Sequence, residues 1–407
     1  MLTLPRLRAN NLLAIEGSRQ TRRRRAAERR RAIARRRLTA LLVAAGLAFV
    51  VGVAIGGGGG GGEPSSGSSA PAATPAPEEV ARKVNEGLPL TKQVGRLVVL
   101  RFAGTSAPGY VREVLGQGRA AGAILFRDNL TGPTQAKRLA TRLQQADRGT
   151  PLVMIDQEGG EIRIFPWAPP ALSQARQLAA GTVGSDAEAA ARALRASGVD
   201  VTLAPVADVA SVPGAALAGR AFSTDFQAAA DATAESVRGW RKGRVAPTVK
   251  HFPGLGGAVT NTDFGQATIE RSAQQIRDED LVPFRAAIDA GVPLVMAGHA
   301  LYPALDGDRI ASQSQPIIQG LLRDEMGFKG VVITDSTEAK AVQTITGVQE
   351  AAVRNIRAGV DIVLTTGRGS YNQVYRALLG EARRDPAFRA RVKESAERVV
   401  ALQQSLR

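Results

Sequence analysis

The chain has 407 residues, 44% hydrophobic and 22% charged, which is ample for a large core and excludes a mini-protein or a wholly disordered polymer. It has no cysteine, which excludes disulfides, zinc–thiolate sites, a thiol nucleophile and a lipid-modified N-terminal cysteine. The net charge of +16 is uneven: residues 1–37 carry thirteen Arg against Glu16 and Glu28, a net +11, which leaves +5 for the other 370 residues, so no nucleic-acid partner is expected of the main body.

The arm ends in RRRRAAERRRAIARRR, Arg22 to Arg37, and an uncharged stretch follows from Leu38 to Gly56. Nineteen residues at about 1.5 Å each reach about 28 Å, close to a hydrocarbon core of about 30 Å. The Arg cluster on one flank predicts a cytoplasmic N-terminus, a single transmembrane helix over 38–56 and an extracytoplasmic remainder. A cleaved signal peptide, giving a secreted protein, is the alternative. Seven glycines, Gly56 to Gly62, open a Gly/Pro/Ser-rich stretch that cannot bury enough apolar surface to fold. It reads as a tether over 57–84, with one domain over 85–407.

From about residue 80, short β-branched runs alternate with helical spacing. The runs are Arg96–Phe102, Ala121–Phe126, Pro151–Asp156, Val199–Pro205, Val245–His251, Val292–Gly298, Gly330–Asp335 and Asp361–Thr366. Each is apolar and bounded by turn residues, as buried parallel strands are. Thr134–Ala146, Ala228–Trp240 and Pro316–Met326 have helical spacing. Eight such repeats predict an α/β fold, a (β/α)8 barrel of the TIM type.

Polar residues gather where the runs end: Asp156-Gln157-Glu158, Lys250-His251, His299 and Thr334-Asp335-Ser336. A barrel puts all of them on one rim, where its active site belongs. Both histidines of the chain fall there. Asp335, at a strand end, suits a glycosyl nucleophile or a metal ligand, or caps the next helix. Asp156 caps a helix or binds sugar hydroxyls. Two His on different strands are weak grounds for a metal site, and none is expected.

Five ordered motifs, IDQEGG (155–160), GRAFSTD (219–225), KHFPGLGGAVTNTD (250–263), MAGHALYPALD (296–306) and GVVITDS (330–336), resemble the N-terminal barrel of glycoside hydrolase family 3, particularly its β-N-acetylhexosaminidase branch. The resemblance covers roughly residues 85–405. It implies a retaining exo-β-glycosidase without metal or organic cofactor, acting on β-N-acetylglucosaminides such as cell-wall fragments, and a monomer. It puts the nucleophile on Asp335 and sugar binding on Asp156, Arg220, Lys250 and His251, with His299 on the same rim as a further sugar contact. The loop motif departs from the family's pattern. Leu255 stands where the first loop His is usual, and Asn261-Thr262-Asp263 where Asp-Ser-His supplies the acid/base. Asp263 becomes the candidate acid/base, on a glycine-rich loop expected to close over the sugar. Glu161 stands where the Arg after Glu-Gly-Gly is usual, and the next expected Arg falls on Ile164, with Arg163 beside it as a substitute sugar contact. A catalytically impaired glycan-binding protein of the same fold is the alternative.

Overall fold

The computed structural model describes residues 77–147 and 151–407, so the Arg-rich arm and the expected span Leu38–Gly56 lie outside the described residues. Among the described residues no helix is long and apolar enough to cross a membrane. The expected tether ends sooner than residue 84. Pro77–Glu86 is a helix, because Ala81 and Asn85 have a buried surface to meet. Asn85 Nδ2 donates to Lys393 O at 3.0 Å, tying this helix to the C-terminal one.

Twelve strands follow in chain order: β1 (Val98–Arg101), β2 (Gly122–Ile124), β3 (Leu152–Ile155), β4 (Gln157–Gly159), β5 (Ile162–Arg163), β6 (Val201–Thr202), β7 (Ala246–Phe252), β8 (Leu294–Ala297), β9 (Leu301–Tyr302), β10 (Asp306–Ile310), β11 (Val331–Thr334) and β12 (Val363–Leu364). Eight form one sheet of order β11-β8-β7-β6-β3-β2-β1-β12, every pairing parallel. These are the eight runs expected from the sequence. The sheet curls until β11 meets β12 through the bridge Ile333–Ile362 and the bond from Thr334 N to Ile362 O, 2.9 Å. β4 and β5 form a hairpin after β3, and β9 and β10 another after β8. The helices Pro133–Gln144 and Phe226–Lys242 lie where the spacing put them; Pro316–Glu325 is helical too, with wider π-type bonding.

Strand alternation sorts the side chains into two cores. Val99, Ile124, Met154, Val201, Ala246, Leu294, Met296, Ile333 and Leu364 fill the barrel interior. Val98, Leu100, Val153 and Ile155 face outward against the helices. Val399 and Leu402 of the C-terminal helix Pro386–Ser405 join the interior cluster. Two buried carboxylates knot the strand starts. Asp361, before β12, pairs with Arg323 (2.6 Å), Arg391 (2.8 Å) and Arg398 (3.1 Å) and accepts from Val332 N. Asp200, before β6, pairs with Arg195 (2.9 Å) and accepts from Val153 N. Both hold adjoining elements together and stand at the opposite end from the rim.

Candidate active site

The same alternation builds the site. Two residues beyond the last inward side chain of each strand lie Arg101 (after Val99), Phe126, Asp156, Asp335 and Thr366; Lys250 is four beyond Ala246. All six line one cavity of about 460 Å³ at the strand C-termini. That size suits a small organic ligand. Arg220, His251, Asn261, Thr262, Asp263 and Ser336 complete its polar wall, and Ile162, Ile164, Leu203, Leu217, Leu255 and Met296 its apolar one. Gly298 occupies the corresponding place after β8. A Cβ there would stand 3.2 Å from the His251 Cβ, so glycine leaves the imidazole its room.

The floor is an ion-pair cluster. Lys250 Nζ lies 2.7 Å from both Asp156 Oδ1 and Glu158 Oε1. Arg220 grips Glu158 with a two-pronged fork, Nε to Oε2 at 2.9 Å and Nη2 to Oε1 at 2.7 Å. Burial opposes the charge on Glu158, yet Lys250 and Arg220 overcome it and hold the carboxyl down to about 2. Burial likewise opposes the Lys250 ammonium, and Asp156 and Glu158 reverse that, so its pKa is raised. The result is a preorganised set of donors and acceptors fit for vicinal hydroxyls.

His251 stands between two carboxylates. Its Nδ1 is 2.7 Å from Asp208 Oδ2, and its Nε2 is 3.8 Å from Asp335 Oδ2. Asp208 also accepts from His251 N at 3.1 Å and Leu255 N at 2.5 Å. An ionised Asp208 has only lone pairs to offer, so Nδ1 carries the proton toward it. The peptide between Lys250 and His251 is cis, and both side chains line the cavity. Asp335 accepts from Ser336 N at 2.7 Å. Burial would raise its pKa; His251, His299, the Ser336 N–H and Lys250 more than compensate, and it lies below the usual range. Asp263 shifts the other way. Burial of its carboxyl and the negative charge of Asp335 raise its pKa against the pull of His251 and Arg220.

Two expected sugar contacts lie elsewhere. His299 is fully buried behind the wall, with Nδ1 2.9 Å from Ser312 Oγ and Nε2 3.0 Å from Ser336 O. Burial lowers its pKa, and its contact with the Ser336 carbonyl supports the segment after Asp335. Arg163 turns away and donates from Nε to Ala168 O at 2.8 Å, while Ile164 takes the cavity position. Asp156, Arg220, Lys250, His251, Asp263 and Asp335 do converge. Two glycines of the loop are held by close contacts: a Cβ on Gly256 would meet Val209 O at 1.8 Å, and one on Gly254, whose φ is +120°, the Asp280 Cβ at 2.9 Å. Beyond them, Ala341 N donates to Thr262 O (3.1 Å) and Lys340 N to Asp263 O (3.2 Å), fastening the loop to the helix Lys340–Gln343.

Sequence reasoning placed Glu158 on the rim without giving it a role, and missed Asp208 as part of the site and Arg101 and Thr366 as lining. Counting two residues on from the buried strand positions would have found the last two. Asp208 lies on irregular chain after β6 and carries no periodic signal.

A parallel eight-stranded barrel with carboxylates, Lys, Arg and His at the C-terminal mouth, and oppositely shifted aspartates in one cavity, defines a glycosidase type of site. Residues 90–402 match the glycosyl hydrolase family 3 N-terminal domain, and the chain belongs to that family. It is 32% identical over 296 residues to a beta-hexosaminidase of Stenotrophomonas maltophilia, covering 70% of this chain and 88% of that one. It is also 32% identical to a secreted glycosyl hydrolase of Arthroderma benhamiae over 78% of this chain and 94% of the relative. A family 3 beta-N-acetylglucosaminidase from Paenibacillus superposes with a TM-score of 0.74 at 33% identity, over 79% of this chain and 63% of that longer one. Beta-N-acetylhexosaminidase from Beutenbergia cavernae gives 0.72 at 31% identity over 78% and 99%. The chain is a glycoside hydrolase.

Proposed function

We propose that the chain is a retaining exo-β-N-acetylglucosaminidase in which Asp335 is the nucleophile and Asp263 the acid/base. The carrying observation is the pair of aspartates in one cavity with opposite shifts, Asp335 kept ionised and Asp263 pushed toward its protonated form. In the first step an Asp335 oxygen attacks the anomeric carbon. The glycosidic C–O bond breaks, and the Asp263 proton passes to the leaving oxygen. In the second, water attacks the same carbon, its proton returns to Asp263, and Asp335 is released. Asp156, Lys250 and Arg220 hold the sugar hydroxyls, and His251 reaches toward Asp335.

The sugar preference follows the relatives; the proposed setting follows the N-terminal sequence. It comprises a cytoplasmic arm, a membrane span over 38–56, a tether, and an extracytoplasmic monomeric barrel working on cell-wall-type glycans. The test is turnover of aryl β-N-acetylglucosaminides and β-glucosides, with a fluorosugar inactivator read by peptide mapping. Label on Asp335 with turnover of the N-acetylglucosaminide supports the reading; label on another carboxylate removes Asp335 from the mechanism. The substitution of Asp263 for the family's usual His favours a second reading, a sugar-binding protein without turnover. Saturable sugar binding with no product over hours would select it.

A further inference from the structure

We propose that Arg101 forms an anion-reading subsite on the leaving-group side of the cavity, where it receives a carboxylate carried by the aglycone. The proposal rests on the glycosidase reading above and adds a substrate class to it.

Strand alternation puts Arg101 on the inward face of β1, directly above Val99, as a member of the ring that holds Asp156, Lys250 and Asp335. In sheet order β1 lies four strands from β7 either way round, so Arg101 stands across the mouth from Lys250. Thr366 on the β12 side separates its strand from that of Asp335, two strand spacings or about 10 Å between backbones.

The other cations of the cavity are committed. Lys250 is bound to Asp156 and Glu158, and Arg220 to Glu158. Arg101 has only Asp128, at 3.2 Å, and both side chains are well exposed, 37% and 41%. An exposed pair of this kind contributes little and is readily exchanged for another anion. The guanidinium is nevertheless held in place. Its carbon lies 4.8 Å from the centroid of Phe126, and Nη1 donates to Thr366 O at 3.4 Å. A fixed planar fork at a mouth matches a carboxylate with two parallel hydrogen bonds. Depth assigns the side: the hydroxyl-gripping Lys250 is 3% exposed and Arg101 37%, so Arg101 meets what lies outward of the bound sugar. On the hairpin side Ile164 lines the cavity, Arg163 is averted, and Arg127 is engaged by the carbonyls of Glu161 and Arg163 at 3.1 and 3.3 Å.

The test compares 3-carboxy-4-nitrophenyl and 3-carboxamido-4-nitrophenyl β-N-acetylglucosaminides on the full chain, R101Q and R101K. The expected acid-to-amide ratio of kcat/KM is about tenfold in the natural protein, about one in R101Q and intermediate in R101K, carried by KM. It falls as salt is raised. A ratio that R101Q leaves unchanged overturns the subsite, even if both rates drop, because that pattern means a structural role. If the natural protein turns over neither compound, the glycosidase reading fails separately. The thio-linked pair then reads Arg101 by calorimetry: preference for the acid, lost in R101Q, supports the subsite, and equal affinity overturns it.

Discussion

Asp335 and Asp263 share one cavity, and their surroundings divide the labour between them. Histidine, Lys250 and a backbone N–H face the first; burial and the charge of the first act on the second. Asp263→Ala should therefore slow substrates with poor leaving groups by about 10²–10⁴-fold and activated aryl glycosides far less, since the latter depart without a proton. Added azide should speed turnover of activated aryl glycosides by the variant, by replacing base-assisted water. Equal losses on both classes would make Asp263 structural. Asp208→Asn tests the other dyad. An amide can present either oxygen or N–H to His251 Nδ1, so the ring is no longer committed to one tautomer. A fall in kcat of about 10- to 100-fold is expected, with an altered pH profile and a small change in KM. Asp335 was legible because a motif and a strand end marked it. Asp208 was not, because its function depends on touching His251 across 43 residues of sequence.

The loop after β7 shows where an element reading fell short. Its glycines suggested a swinging lid. In the structure Leu255 is buried, Gly256 lies against the Val209 carbonyl, and the far end is fastened by the helix at Lys340. Glycine is needed there because backbone passes close to backbone, a contact that residue type alone does not distinguish from a hinge. Asn261 adds a local clasp, its Oδ1 accepting from Asp263 N at 2.9 Å. Gly256→Ala should lower stability by about 1–3 kcal/mol, as overpacking does, and displace the loop that carries Asp263. Urea denaturation alongside kcat would show it; a change below a few tenths of a kcal/mol with normal turnover would return the loop to the role of a free lid. The eight strands themselves were legible, because buried parallel strands are continuous apolar runs and each is bounded by turn residues.

At the scale of the molecule, buried carboxylates set the response of the fold to pH in opposite directions. Glu158, held at about 2, and Asp361, lowered by its three arginines despite burial, stabilise the fold above the ordinary carboxylate range; that contribution is lost as the pH falls through their folded values. Asp280 does the reverse. Burial pushes it up to about 7, with Glu279 and Asp208 reinforcing the shift and Arg271 opposing it. Its Oδ2 lies 2.8 Å from Arg271 Nε but without the alignment of a hydrogen bond, so the ion pair only partly offsets desolvation. Folded Asp280 therefore keeps its proton between its unfolded value of about 4 and about 7, where the unfolded chain has lost it. Stability drops across that window as the pH rises and levels off above it. Asp280→Asn removes the titration while keeping the shape. It should gain on the order of 1–3 kcal/mol relative to the natural protein at pH 8, and little at pH 4. Arg271 retains Glu279 as a partner, so no cation is stranded. Because Asp280 backs Gly254 at the foot of the catalytic loop, the variant must also be read for kcat. Thermal midpoints of both proteins at pH 4, 6 and 8 decide the matter. Curves that run parallel would mean that Asp280 is ionised throughout and that its pairing with Arg271 outweighs burial.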